Sequence, residues 1–102
     1  MAPYTVVFAT EAESQLAELY RYIANTGAPL NALRYTEAIV AYSEELATFP
    51  HRGTRRDDVR PGLRVTNYEG RAVIAFAVDD AARRVTILGV YYGGRDYESI
   101  LS

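Results

Sequence analysis

The sequence contains no cysteine, no lysine and only one histidine, His51. Without cysteine there is no disulfide framework and no thiolate metal site. A single histidine leaves too few ligands for a structural or catalytic zinc, so no metal and no other cofactor is expected. All eleven basic residues are arginine, which stays charged and is a poor proton acceptor, so no lysine can act as a general base. The longest apolar run, Ala72 to Val78, is far short of the about 20 residues that span a membrane. The opening Met1-Ala2-Pro3-Tyr4 lacks the basic and apolar regions of a signal peptide, so a soluble, cytoplasmic protein is expected. Gly93-Gly94 follows a strand-like run without a phosphate-binding glycine pattern, and none of the serines sits in a nucleophile elbow.

What is present bounds the chain from the other side. Its 102 residues suffice for one core, and a single domain over 1–102 is expected. Apolar residues make up 49%, too many for a disordered chain. Charge is unevenly spread: residues 1–50 hold two arginines against six acids, residues 51–102 nine arginines against seven. Such asymmetry can mark a face for an anion or a partner; a solvated surface is the plainer explanation.

Tyr4 to Phe8, rich in β-branched and aromatic residues, reads as a strand. Thr10-Glu11-Ala12-Glu13 matches a capping box. Leu16, Leu19, Tyr20 and Ile23 then lie on one helix face, and Gly27 stops that helix. Pro29 suits the first turn of a second helix, whose stripe runs Ala32, Tyr35, Ile39, Tyr42, Leu46, Phe49, ended by Pro50. The short link between them predicts an antiparallel hairpin. His51 to Gly62 reads as a loop. Leu63–Tyr68, Arg71–Val78 and Arg84–Tyr92 read as three strands, with a tight turn at Glu69-Gly70. The middle strand is apolar on both faces and should be central and covered. Asp96 caps a short terminal turn. The expected fold is α+β: an N-terminal strand, an antiparallel helical hairpin packed on an antiparallel β-meander, and a short C-terminal tail. Leu16, Leu19, Ile23, Ile39, Leu46, Phe49, Ile74, Phe76 and Val78 should form the core.

Among polar groups, His51 sits on a loop and is a weak catalytic candidate. Arg64, Arg71 and Arg95 flank the meander strands and could converge on one edge, with Tyr91, Tyr92 and Tyr97 near Arg95. Arginine with aromatics suits a protein interface or nucleic-acid stacking equally well.

The chain resembles the RelE/ParE toxin superfamily of type II toxin–antitoxin systems. The resemblance is carried by Tyr4-x-Val-x-Phe with Ala12 and Leu16, Tyr20-x-Tyr-Ile23, Ala32-x-x-Tyr35, Phe49-Pro50-His51-Arg52-Gly53, Arg60-Pro61-Gly62-Leu63-Arg64 and Ile87 through Asp96. It implies an intracellular toxin held inactive by a cognate antitoxin. RelE-like members cleave ribosome-bound mRNA, whereas ParE-like members inhibit DNA gyrase. Cleavage through a 2′-hydroxyl needs a proton acceptor, a donor and charge stabilisation. Here lysine is missing and the tail offers only Tyr97, which favours the ParE-like branch, with a plasmid-stabilization type of role. The expectation is therefore a non-enzymatic gyrase inhibitor with no catalytic residues and no direct nucleic-acid binding. Arg64, Arg71, Arg95 and Tyr97 would meet the target; Tyr20, Tyr35, Tyr42, Tyr91 and Tyr92 would meet the antitoxin. The alternatives are a ribosome-dependent endoribonuclease and a degenerate, non-toxic binding module.

Overall fold

The computed structural model describes residues 3–102. The elements are β1 (Thr5–Phe8), α1 (Thr10–Asn25), α2 (Pro29–Glu44), a 3-10 turn (Glu45–Ala47), β2 (Thr54–Arg55), β3 (Leu63–Tyr68), β4 (Ala72–Asp79), β5 (Arg84–Tyr92) and α3 (Tyr97–Leu101). The strands form one sheet in the order β1-β5-β4-β3-β2. β2 through β5 are antiparallel neighbours, and β1 joins β5 in parallel. The expected α+β architecture holds, with a mixed sheet where a meander and a separate strand were expected. The segment read as a loop also contributes β2, which pairs Thr54 with Val65 and Arg55 with Arg64.

Local chemistry explains the helix ends. Gly27 lies at φ 90, the left-handed region that ends a helix at little cost, and Pro29 opens α2 where no N–H is needed. The capping box does not form: Ala9 stands at the N-cap of α1 without a side-chain hydrogen bond, and Thr10 is already helical. The Ala9 amide instead donates to Ile87 on β5, so the strand pairing sets where the helix begins.

β4 is the central strand and is covered on both faces. Ile74 and Phe76 join Leu19, Ile39, Leu46, Val85, Ile87 and Val90 in the core beneath the helices. On the opposite face Ala75 packs with Leu63 and Tyr91. Leu16, Ile23 and Val78 pack half-buried against the main core. Phe49 departs from expectation and is 56% exposed. The helix tightens to a 3-10 turn at Glu45–Ala47, which breaks the 3.6-residue period and rotates the next stripe position outward. The Arg52 guanidinium lies 5.3 Å from the Phe49 ring and 5.1 Å from that of Tyr42.

Tyrosines line the seam between α2 and the sheet. Tyr35 contacts Tyr68 and Tyr92 edge-on, and Tyr42 meets Tyr68 and shares a hydrogen bond with Thr66. The Tyr35 hydroxyl is buried without a hydrogen-bond partner among the described residues, and its pKa is raised, chiefly by burial and next by Tyr92. A buried unpaired hydroxyl is destabilising, so Tyr35→Phe is expected to gain about 1 kcal/mol. Urea unfolding of the two proteins measures this; a lower midpoint for the variant would contradict it.

Candidate functional site

The geometry of the site follows from one irregularity in β5. Ala75 pairs with Gly89 but Phe76 pairs with Ile87, so β5 carries an extra residue at Leu88. Such a bulge reverses the alternation of side chains along the strand. Before it Val85 and Ile87 face the helices; after it Val90 and Tyr92 do, while Leu88 and Tyr91 face away. Tyr91 and Tyr92 therefore lie on opposite faces. Tyr91 is 2% exposed, so of this expected pair only Tyr92 reaches the surface.

Tyr92 forms one wall of a cleft of about 370 Å³ between α1 and the end of β5. Gln15, Glu18, Leu19, Tyr22, Val90, Gly93 and Arg95 complete its lining. The Tyr22 and Tyr92 rings are 6.5 Å apart. Among the described residues the ion-pair partner of Arg95 is Glu18, at 4.0 Å, and both side chains are more than half exposed, so the pair contributes little. Arg71 lines the adjoining depression, which shares Tyr22 and Tyr92 with the cleft. Arg71 and Arg95 thus line neighbouring depressions at one end of the sheet.

Arg64 does not join them, which corrects the expected convergence. It is the second residue of β3, whereas Arg71 follows the strand's end, so the length of the strand separates the two. At the far end Arg64 donates to the backbone carbonyls of His51 and Arg52. There His51 Nε2 lies 2.8 Å from Asp80, and the Tyr4 hydroxyl donates to the same carboxylate oxygen at 2.7 Å. His51, Arg55, Arg64 and Asp80 surround a pocket of about 220 Å³.

Tyr97 is also displaced from Arg95. Its ring packs 6.1 Å from Tyr91 on the face away from the helices, and its hydroxyl accepts from Arg56. Arg56 further pairs with Asp58 and Glu98, so one guanidinium fastens α3 across the sheet. The expected antitoxin tyrosines are scattered. Tyr20 rims an outer groove between α1 and α2, Tyr35 and Tyr42 lie in the helix–sheet seam, and Tyr91 is internal. Gln15, Tyr22 and Arg56 were not among the site residues expected from the sequence, where Tyr22 entered only within Tyr20-x-Tyr-Ile23. Tyr22 alone left a signal there, as an aromatic residue off the apolar stripe of α1.

Four exposed carboxylates at these ends titrate low. Asp80 is lowered first by the Tyr4 hydroxyl and then by His51, Asp57 by the Gly62 amide, Asp58 by Arg56, and Asp96 by the Ser99 hydroxyl at the cap of α3. A carboxyl that ionises more easily when folded stabilises the fold above its unfolded pKa, near about 4, and loses that contribution as pH falls through the lower folded value. The thermal midpoint is therefore expected to drop steadily as pH is lowered through and below this range. Asp80→Asn should flatten part of that drop. A midpoint unchanged or rising on acidification would refute the assignment.

The family model of the ParE toxin of the type II toxin–antitoxin system parDE matches residues 6–97. The chain belongs to this toxin family. Among solved structures, one of the chromosomal ParDE system from P. aeruginosa aligns with TM-score 0.75 and 21% identity, covering 87% of this chain and 95% of that one. A structure of the RelBE2 toxin–antitoxin complex from Mycobacterium tuberculosis aligns with TM-score 0.68 and 26% identity, covering 93% and 97%. No curated protein gives a significant match. This ParE-family toxin shares its fold with both structures. Among its described residues no helix is long and apolar enough to cross a membrane.

Proposed function

We propose that the chain is a non-enzymatic toxin of the cytoplasm that inhibits DNA gyrase and is neutralised by a cognate antitoxin. The observation that carries this reading is that Arg71 and Arg95, beside the cleft and its adjoining depression, stand apart from both His51 and Tyr97. Arg71 and Arg95 stand at one end of the sheet beside exposed aromatic walls. His51 is at the other end, with Nε2 against Asp80, and Tyr97 is tied to Arg56 on the far face. Cleavage of RNA needs acceptor, donor and cation around one phosphate. Inhibition needs only a complementary surface, and arginine with tyrosine is the pairing that dominates such surfaces. The antitoxin reading is supported by the solved relatives, which are toxin–antitoxin systems.

One observation favours the second reading, an mRNA endoribonuclease. His51 is oriented by Asp80 in a pocket that Arg55 and Arg64 also line. Against it, Arg64 is occupied with two backbone carbonyls, and the carboxyls that share the pocket, Asp57 and Asp80, are both held below the ordinary carboxylate range and so are weak proton acceptors.

The test is a gyrase supercoiling assay beside a ribosome-dependent cleavage assay on one preparation freed of antitoxin. Gyrase should be inhibited and mRNA left intact. Arg95→Ala should weaken inhibition by about tenfold, the scale of a lost interface anchor, with an unchanged thermal midpoint. Tyr97 is a poorer probe because its removal also loosens α3. Specific mRNA cuts abolished by His51→Ala, with gyrase unaffected, would replace the first reading by the second. Inactivity in both assays would leave a non-toxic binding module.

A further inference from the structure

Beyond the C-terminal end of α2 the fold turns an aromatic residue outward. After the 3-10 turn at Glu45–Ala47 the chain reaches Phe49, whose ring is 56% exposed. The turn that carries it is held from both sides. The Phe49 amide donates to the Glu45 carbonyl, and the Arg52 amide donates to the Phe49 carbonyl. The carbonyls of His51 and Arg52 accept from the Arg64 guanidinium on β3. Pro50 removes a further backbone freedom. A ring on so restrained a turn gives up little conformational entropy when a partner covers it.

Arg52 is ordered as well. Its guanidinium lies over both the Phe49 and Tyr42 rings. It approaches Glu45 at 3.6 Å, and that glutamate is more than half exposed, so the pair is weak and a partner carboxylate can take the place of Glu45. Phe49, His51 and Arg52 line a surface depression of about 470 Å³, and His51 joins it to the pocket of Arg55 and Arg64. Residues 51–64 hold five arginines against two aspartates, so the surroundings of Phe49 are basic. A single exposed aromatic is ordinary. One held on a clamped turn, with a guanidinium stacked on it, has the make-up of an interface anchor.

We propose that the turn from Thr48 to Arg52 is a docking platform for the toxin's protein target, with Phe49 seated in an apolar pocket of that target and Arg52 against an acidic residue beside it. The inference rests on the reading of the chain as a gyrase inhibitor and adds a second contact to the Arg71 and Arg95 end. Arg64 and Arg71 stand roughly 20 Å apart along β3, within the breadth of one standard interface of about 800 Å² per partner. The occupant is a protein because carboxylates are interspersed among the cations: Glu45 lies near Arg52 and Asp57 pairs with Arg55. Such a surface suits isolated carboxylates, whereas the phosphate row of a nucleic acid calls for unbroken positive charge.

The experiment compares the full chain with Phe49→Ala and Arg52→Ala in the gyrase supercoiling assay, beside their thermal midpoints and their affinity for the antitoxin of the adjoining reading frame. Each substitution should raise the half-inhibitory concentration by about tenfold. The midpoint of Phe49→Ala should hardly move, because the ring is exposed, and antitoxin affinity should be unchanged. Phe49→Ala combined with Arg95→Ala should lose about a hundredfold, since distant contacts to one target add in free energy. Full inhibition by Phe49→Ala, with Arg95→Ala impaired, overturns the platform and leaves the gyrase reading standing. A wild-type chain that does not inhibit gyrase removes that reading and the platform with it. Loss of antitoxin affinity with inhibition intact would make the antitoxin the occupant and overturn the assignment to the target. A wild-type chain that retards plasmid DNA by itself, where Phe49→Ala does not, would make the occupant a nucleic acid and overturn it equally.

Discussion

Phe76→Ala is expected to lower stability by about 3–5 kcal/mol, the usual cost of emptying an aromatic site in a close-packed core. Phe76 is fully buried at the middle of the central strand. It lies in the same cluster as Leu19 of α1, Ile39 of α2 and Ile87 of β5, so the void touches both layers. A small domain has only about 5–15 kcal/mol to lose, and the variant should therefore be partly unfolded on mild heating. Denaturant unfolding followed by far-UV circular dichroism measures the change. A loss below about 1 kcal/mol would mean that the helices do not close over β4 as described.

The second large effect is expected at Gly89. A Cβ built there would lie 2.5 Å from the Tyr91 hydroxyl and 2.7 Å from its ring. The Tyr91 ring lies across this glycine and is covered in turn by Tyr97, so it has little room to move. Gly89→Ala should cost about 1–3 kcal/mol by overpacking. The cause can be isolated with Tyr91→Leu, which removes the obstructing ring. The double variant should be more stable than the sum of the two single losses predicts, since the alanine methyl then has space. Strict additivity, or a neutral Gly89→Ala, would show that Tyr91 does not pack against this position. The same substitution reports on function, because the bulge beside Gly89 is what turns Tyr92 toward the cleft.

The sequence by itself determined the features that depend on neighbours a few residues apart. Gly27 and Pro29 bound the helices through their own backbone restrictions, and Asp96 caps α3 through Ser99 three residues on. The unbroken apolar character of residues 72–78 placed β4 at the centre, because only a strand covered on both faces can bury every side chain. Those local and compositional signals also carried the family. The tertiary structure alone decided the site. The run from Val85 to Tyr92 is apolar almost throughout, so nothing in its pattern marks the residue at which the alternation reverses, and Tyr91 and Tyr92 part company only through pairing with β4. Arg64 falls away from Arg71 and Arg95 because a β-strand is extended: residues at its two ends are about 3.3 Å apart for each step between them, however similar their setting in the chain. Gln15 and Arg56 act on partners 75 and 42 residues away, at Val90 and Glu98. Contacts of that span exist only once the chain has closed on itself, and no local pattern of residues encodes them.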